Sequence, residues 1–400
     1  MELFLISVWI LLTILLYSGL NVNLFIVLIS SIVAFPSLYS SKKFIIDKKT
    51  FLVYIFLLYY FIITIIRSQN ILGFLSKLVL LPLFIYYLVS QKNFRAERLI
   101  KWFQIIIWGC AVFGLIEYLL HFNVMVYFVK IDPVNWIKTM NVSDTYFPSS
   151  LFLHYTYYSY ILLVGFILSI SYPFRNIIVT RLFQLTLLVN LILCQARISW
   201  IAFFVLAIIE LISKITVERV SRNKLLYFML LLLLLFIFGY VFNIFSLFNN
   251  FISNRFSKLF VYGLNDGSLG QRIGTLGNWK NFLNNNPVSA IFGLGFGGVS
   301  NYLREYSYFS GYNTADSMIT IFLVETGIFG FIIFVFGIIS SFLRAIKGYK
   351  INDESSKFLT YLLIITLIFS LTIDFSGNLV ILYVFYMLLF SQKNLKDNKE

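Results

Sequence analysis

The sequence predicts an all-α integral membrane protein, a bundle of about twelve transmembrane helices carrying a large, partly helical loop between the ninth and tenth spans. Three observations predict it. Of 400 residues, 60% are hydrophobic and only 12% are charged, too little polar surface to cover a water-soluble globule. The mean hydropathy is +0.88. Apolar runs of the length that crosses roughly 30 Å of hydrocarbon as a helix recur along the chain.

The runs fall at 3–17, 21–38, 51–66, 71–89, 100–120, 150–171, 177–194, 199–213, 225–247, 317–342, 358–371 and 379–390. Several are short, and the last reads equally as a hairpin partner of the eleventh. Glu2 stands where a signal peptide carries a basic region, and no small-residue cleavage site follows Leu16, so the first run is expected to be an uncleaved span. Cys110 and Cys194 both lie inside runs, which argues against a disulfide framework or a thiolate metal site. Without repeats or low-complexity linkers, 1–400 reads as a single membrane domain.

Charge orients the bundle. Lys42, Lys43, Lys48 and Lys49; Lys92, Arg95, Arg98 and Lys101; Arg175 and Arg181; Lys214, Arg219, Arg222 and Lys224; Arg344, Lys347, Lys350 and Lys357; and Lys393, Lys396 and Lys399 all fall on one side of a twelve-span arrangement. By the positive-inside rule that side is the cytoplasm, with both termini there. Topology therefore accounts for most of the net charge of +14, and nucleic acid is not the expected partner. The remaining cations, Arg67, Lys77, Lys130, Lys138, Arg197, Arg255, Lys258, Arg272, Lys280 and Arg304, face the exterior or lie in the membrane near it. A cationic exterior opposes the usual bias, and an anionic ligand there supplies a reason.

Two exterior connections are long. In the first, Val124 to Ile131 followed by Asp132-Pro133 reads as an amphipathic helix on the membrane surface. The second, 249–316, holds half of the unexplained cations and many aromatics. It is too long for a structureless connection, so helices are expected with breaks at Asn286-Pro287 and Gly293 to Gly298. The stretch from Arg272 to Gly330 is the only long polar, glycine-punctuated part of the chain, and chemistry is expected near it.

Arg197 opens the eighth span after almost no connection. It is either a snorkelling cation beside Trp200 or a charge with a ligand. Arg272, in Gly270-Gln-Arg-Ile-Gly274, reads alone as a solvated loop arginine. As a pair, two guanidinium forks converging from a helix end and a loop suit a diphosphate. Gly293, Gly295 and Gly298 satisfy G-x-G-x-x-G, but no βαβ unit surrounds them; a tight turn, close backbone packing or an amide nest is the better reading. Asp316 reads as the N-cap of the tenth span and, compatibly, as a general base at the membrane face. Glu325 lies nine residues further on, roughly 13 Å along a helix, as a structural or tunnel-lining acid. His121 and His154 lack metal-ligand spacing, and His154, at the exterior end of its span, is the better site neighbour. Lys77 either snorkels outward or meets a phosphate from within the fourth span. Asp374 and Asn378 lie on the correct side but carry no further signal.

Together these residues resemble a family. A span-opening arginine after a tight connection, then Arg-x(6)-Trp from Arg272 to Trp279, Asn286-Pro287, Gly293-x-Gly295, an acidic residue at Asp316 and Glu325-x-Gly327-x-x-Gly330 are similar to the Wzy O-antigen polymerase and O-antigen ligase group. The match is clearest over Arg197 to Trp200 and Arg272 to Gly330; elsewhere only topology and length agree. The resemblance implies an inverting glycosyltransferase that joins undecaprenyl diphosphate-linked oligosaccharides at the periplasmic face of the bacterial inner membrane. Arg197 and Arg272 would hold the lipid diphosphate and Asp316 would activate the acceptor hydroxyl, with neither nucleotide sugar nor metal cofactor. Trp279, Arg304, Gly293 and Gly295 join His154 and Lys77 as neighbours of the site, and a chain-length regulator and a flippase of the same pathway are the implied partners besides membrane lipid. The ligases generally carry histidine where this chain has Asp316, which favours the polymerase over transfer to lipid A-core or protein. A transporter of lipid-linked sugars is the alternative from another class, although no internal repeat supports it.

Overall fold

The computed structural model describes residues 1–17, 51–91, 93–127, 141–142, 145–152, 154–217, 267–311, 315–350, 354–375 and 378–397, with single positions between 23 and 29. The expected second and ninth spans lie outside these residues, wholly or nearly so. The described chain is all-α: α1 (Glu2–Tyr17), α2 (Phe51–Ile66), α3 (Ile71–Phe74), a π-helical segment (Leu75–Leu80), α4 (Leu81–Val89), α5 (Ala96–Leu120), α6 (Tyr155–Ser171), α7 (Ile177–Leu193), α8 (Arg197–Val217), α9 (Gly267–Gly277), α10 (Trp279–Asn285), α11 (Pro287–Phe292), α12 (Val299–Tyr306), α13 (Met318–Lys350), α14 (Glu354–Ser370) and α15 (Leu379–Asp397). Its extended structure is a two-residue ladder, Asn141–Val142 against Thr145–Tyr146.

Among the described residues, three segments, Ile71–Val89, Ala96–Leu120 and Met318–Leu343, are long and apolar enough to cross a membrane, and six shorter apolar helices accompany them. This is a multi-pass arrangement of apolar helices around α6. Every residue of α6 from Tyr158 to Val164 is buried, so a helix apolar all round is also enclosed all round. Between such helices lipid supplies little hydrophobic drive, and polar side chains hold the register. The Tyr158 hydroxyl donates to Asn190 Oδ1 (2.8 Å), and the Asn190 amide donates to the Ala111 carbonyl (3.0 Å), tying α6, α7 and α5 together.

The two ends of the bundle differ. At one, Glu2 accepts the Arg95 N–H (2.6 Å), Gln104 donates to the Tyr172 carbonyl (2.9 Å), and Lys357 pairs with Glu210 (2.9 Å), to which Tyr361 also donates. The other end is built on a returning chain. The connection after α5 turns back into the bundle, where the Ser150 hydroxyl donates to the Cys110 carbonyl (2.8 Å) in the middle of α5. Cys110 lies ten residues before the end of α5 at Leu120, about 15 Å along the helix at 1.5 Å per residue. Glu117 holds the turn there, accepting from Ser150 N (2.6 Å), Ser149 N (3.1 Å) and Tyr146 Oη (2.8 Å).

That return corrects the expected surface helix at Val124. Val124–Tyr127 is a 3-10 turn whose Met125 and Val126 are buried, Val126 against Tyr146, because the chain is drawn inward by the Glu117 contacts. The remainder of that stretch, including Lys130, Asp132 and Pro133, lies outside the described residues.

The long loop is helical in part, as expected. α9 to α12 enclose a small core of Phe282, Ala290, Tyr302, Leu303 and Tyr306, joined by Ile321 and Val324 of α13. Tyr302 anchors it twice, packing edge-on against Phe282 (5.2 Å between centroids) and donating to the Thr275 carbonyl (2.7 Å). The breaks fall at Asn286, whose φ of −135° ends α10 and whose successor Pro287 opens α11, and over Gly293 to Gly298.

α13 is itself broken. Gly327 has φ +66° and ψ −179°, and a Cβ there would lie 2.4 Å from the Ile291 carbonyl oxygen and 2.5 Å from Gly293 N. An irregular backbone deep in a membrane helix is tolerated where protein satisfies its polar groups. Here it does, since the chain after α11 docks into the break. Gly327→Ala should therefore cost at least about 2 kcal/mol of stability, read as an earlier thermal unfolding transition of the purified protein in detergent; an unchanged transition would contradict the docking.

Candidate functional site

Glu325 is the first element of the site to be built. Leu294 and Gly295 donate backbone N–H bonds to the Val324 and Glu325 carbonyls (3.0 and 2.9 Å), a short strand-like pairing on the broken helix. The Glu325 carboxylate then takes the Gly297 N–H (2.7 Å) on Oε1 and the Tyr60 hydroxyl on Oε2. The Tyr59 hydroxyl bridges the Phe292 and Thr326 carbonyls (2.7 and 3.0 Å), and Phe296 N–H donates to Thr64 Oγ1 (3.1 Å). The glycine motif is thus backbone geometry: Gly293, at φ +94°, would carry a Cβ 2.3 Å from the Glu325 carbonyl oxygen. Glu325 is structural, the first of the two roles open to it in the sequence.

Arg272 corrects its expectation as a loop arginine. It lies within α9 because the segment from Gly267 carries its buried residues, Gln271 and Thr275, on one face of a helix. From there its Nε donates to the Asp316 backbone carbonyl (3.0 Å) and its terminal nitrogen to the Thr372 carbonyl (3.4 Å). One guanidinium therefore joins the loop lobe, the approach to α13 and the connection between α14 and α15.

Asp316 is not the N-cap of the tenth span. The helix starts at Met318, and the Ser317 carbonyl takes its first bond, from Ile321 N (3.1 Å), so the capping position is Ser317's. Asp316 precedes it with φ +48°, a left-handed conformation that a non-glycine residue adopts at a cost. The Arg272 bond to its carbonyl helps to hold that conformation, and the side chain is only half-buried.

His154 stands at the start of α6 as its N-cap, Nδ1 accepting the Thr156 N–H (3.2 Å), a role that needs Nδ1 unprotonated. Its ring is exposed, 5.4 Å from that of Tyr157, and within electrostatic reach of Arg272. The structure thus brings His154, Arg272 and Asp316 to one end of the bundle. Arg197 opens α8 at that same end, three residues after Cys194, whose thiol lies 3.6 Å from the Pro148 carbonyl. Lys77 sits on the π-helical segment with Nζ 5.9 Å from the Phe296 ring, in reach of Asp374 and Glu325.

Other expected neighbours have contacts of their own. Trp279 packs on Phe282 (5.2 Å) at the edge of the loop core, and Arg304 is an exposed residue in the last turn of α12. Gly293 and Gly295 are consumed by docking. His121 ends α5 in a left-handed conformation and stacks on Tyr146 (5.4 Å).

Asp374 and Asn378 were undervalued. Asp374 sits between the buried Ile373 and Phe375, with Phe375 against Tyr160 (5.3 Å), and is close enough to influence Tyr157, Lys77 and Glu325. Asn378 accepts the Ile381 N–H (3.2 Å) and lies in hydrogen-bonding reach of the Tyr157 hydroxyl. No spacing in the sequence links residues on four distant segments. Among the described residues, no cluster of three His, Cys, Asp or Glu side chains has the arrangement to hold a metal ion.

The fold class is that of an all-α protein with apolar helices long enough to span a membrane, and with polar side chains gathered at one end. The chain matches no protein-family model, and no curated protein is significantly similar to it.

Removing the Glu325 carboxylate leaves the Gly297 amide and the Tyr60 hydroxyl without their partner, at about 2 to 3 kcal/mol. Glu325→Ala should therefore unfold at lower temperature in detergent, whereas Glu325→Gln, which keeps an accepting oxygen, should recover most of the loss. Equal stability of Glu325→Ala and the native protein would remove Glu325 from its structural role.

Proposed function

We propose that this protein is a repeat-unit polymerase, an inverting glycosyltransferase that joins polyprenyl diphosphate-linked oligosaccharides at the non-cytoplasmic face of a bacterial inner membrane, with about twelve spans and both termini in the cytoplasm. One observation carries the reading: Arg272, in electrostatic reach of His154, holds the backbone of a left-handed Asp316 at one end of an apolar helical bundle. A lipid-linked donor presents its diphosphate at headgroup depth and its sugars to water, so a cation and a carboxylate are wanted together at such a rim.

In the proposed reaction an acceptor sugar hydroxyl attacks the anomeric carbon of the donor from the face opposite the diphosphate. The new C–O bond forms as the bond to the diphosphate oxygen breaks. The hydroxyl proton passes to the Asp316 carboxylate, and the departing polyprenyl diphosphate carries the negative charge. Arg272 and Arg197 stabilise that charge, guanidinium groups being suited to phosphate by their planar fork and permanent charge. His154, neutral as a helix cap, adds an imidazole edge without competing for the anion's protons. The acid at Asp316 favours chain extension over ligation to lipid A-core or protein.

The break at Gly327 favours a second reading, since discontinuous helices near a central site are common in transporters. Purified protein that lengthens lipid-linked repeats without an energy source separates the two, because a transporter forms no glycosidic bond. In cells, Arg272→Ala and Asp316→Asn should reduce long polymer at least a hundredfold on glycan gels while the protein still inserts at native levels. Core bearing one repeat unit would then accumulate; unattached long polymer would instead mark a ligase. Native chain lengths in Asp316→Asn cells would sink the base assignment. Arg197→Lys should fail similarly, since a point charge replaces a fork, and full activity there would make Arg197 an anchor only.

A further inference from the structure

We infer that Asp374, Tyr157 and Asn378 form a polyhydroxyl-binding subsite beside Asp316, which holds one sugar ring of the glycan during transfer; this rests on the glycosyltransferase reading. The connection between α14 and α15 is fixed on both sides of Asp374. Arg272 holds the Thr372 carbonyl, Ile373 and Phe375 are buried, Phe375 packs on Tyr160, and Asn378 caps α15. Between these anchors Asp374 remains half-open. Tyr157, one turn into α6, lies within electrostatic reach of both Asp374 and Asp316 and within hydrogen-bonding reach of Asn378. The tyrosine is therefore in reach of both the proposed base and the second carboxylate.

The chemistry of this group selects its ligand. An anion set against Tyr157 would meet two carboxylates, Asp374 and Asp316, so the diphosphate is assigned to Arg272 and Arg197 and a neutral group to this one. A metal cation would meet Lys77, which lies in reach of Asp374 from the π-helical segment. A neutral polyol escapes both penalties. A carboxylate accepts from two neighbouring hydroxyls at once, an amide both donates and accepts, and a phenol does the same. The Tyr157 and His154 rings, 5.4 Å apart and tilted by 58°, add an aromatic wall for the C–H face of a pyranose. Lys77 then has a positioning task, holding Asp374 in place.

Saturation-transfer NMR on the full-length protein in lipid nanodiscs tests the subsite, using as probe the lipid-free repeat-unit oligosaccharide released by mild acid from the cell's own lipid-linked intermediates. The native protein should bind it, Asp374→Ala should weaken binding at least tenfold, and Tyr157→Phe about threefold. Asp374→Asn, of nearly the same shape, stands in if the alanine variant fails to run as a monodisperse species, and should lose about as much. Native-level binding by a monodisperse Asp374→Asn variant overturns the subsite while leaving the glycosyltransferase reading in place. Absence of binding to the native protein overturns both, unless lengthening of lipid-linked repeats is observed in the same preparation, in which case the subsite alone falls.

Discussion

The contact on which the rest depends is the carboxylate of Glu325 between Tyr60 and the Gly297 amide. An acid in the wall of an apolar bundle is expensive unless its oxygens are occupied, and here each is. Through it the long loop is fastened to α2 and to the broken segment of α13 at once. The break at Gly327 and the bend at Gly293 are mutual requirements: neither backbone could come so close if either position bore a side chain. The loop lobe therefore has a defined height and rotation on the bundle, and Arg272, projecting from its first described helix, reaches Asp316 rather than solvent.

A second carboxylate, Glu117, does comparable work. Its oxygens receive two consecutive backbone amides and a tyrosine hydroxyl, and so draw the chain after α5 down into the bundle. His154 and Tyr157 follow that return directly, at the start of α6. The two acids explain how short helices and a long loop can enclose polar groups within an apolar protein. Both are buried, and in both several hydrogen bonds occupy the carboxyl oxygens.

Several features were legible in the chain. Long apolar runs must be helices in lipid because no other open backbone satisfies its hydrogen bonds there. Asn286-Pro287 must interrupt a helix, and a G-x-G-x-x-G without a βαβ setting must serve geometry. Arg272, Asp316 and His154 were picked out by chemical type in unusual places. Asp374 was passed over because an aspartate in a short connection between two spans has no local mark of function. Its significance comes from Lys77, Tyr157 and Asn378, which are distant in sequence.

By itself, then, the sequence determined the all-α class, the apolar helices and the polar stretch in which chemistry should be sought. These follow from composition and local pattern, which operate over a few helical turns. Only the tertiary structure decided that Ser317 rather than Asp316 occupies the capping position, that Arg272 belongs to a helix, that Val124–Tyr127 turns inward, and that Asp374 joins the candidate site. Each depends on hydrogen bonds or close approaches between segments dozens to hundreds of residues apart, and no local pattern encodes which of many polar groups will meet.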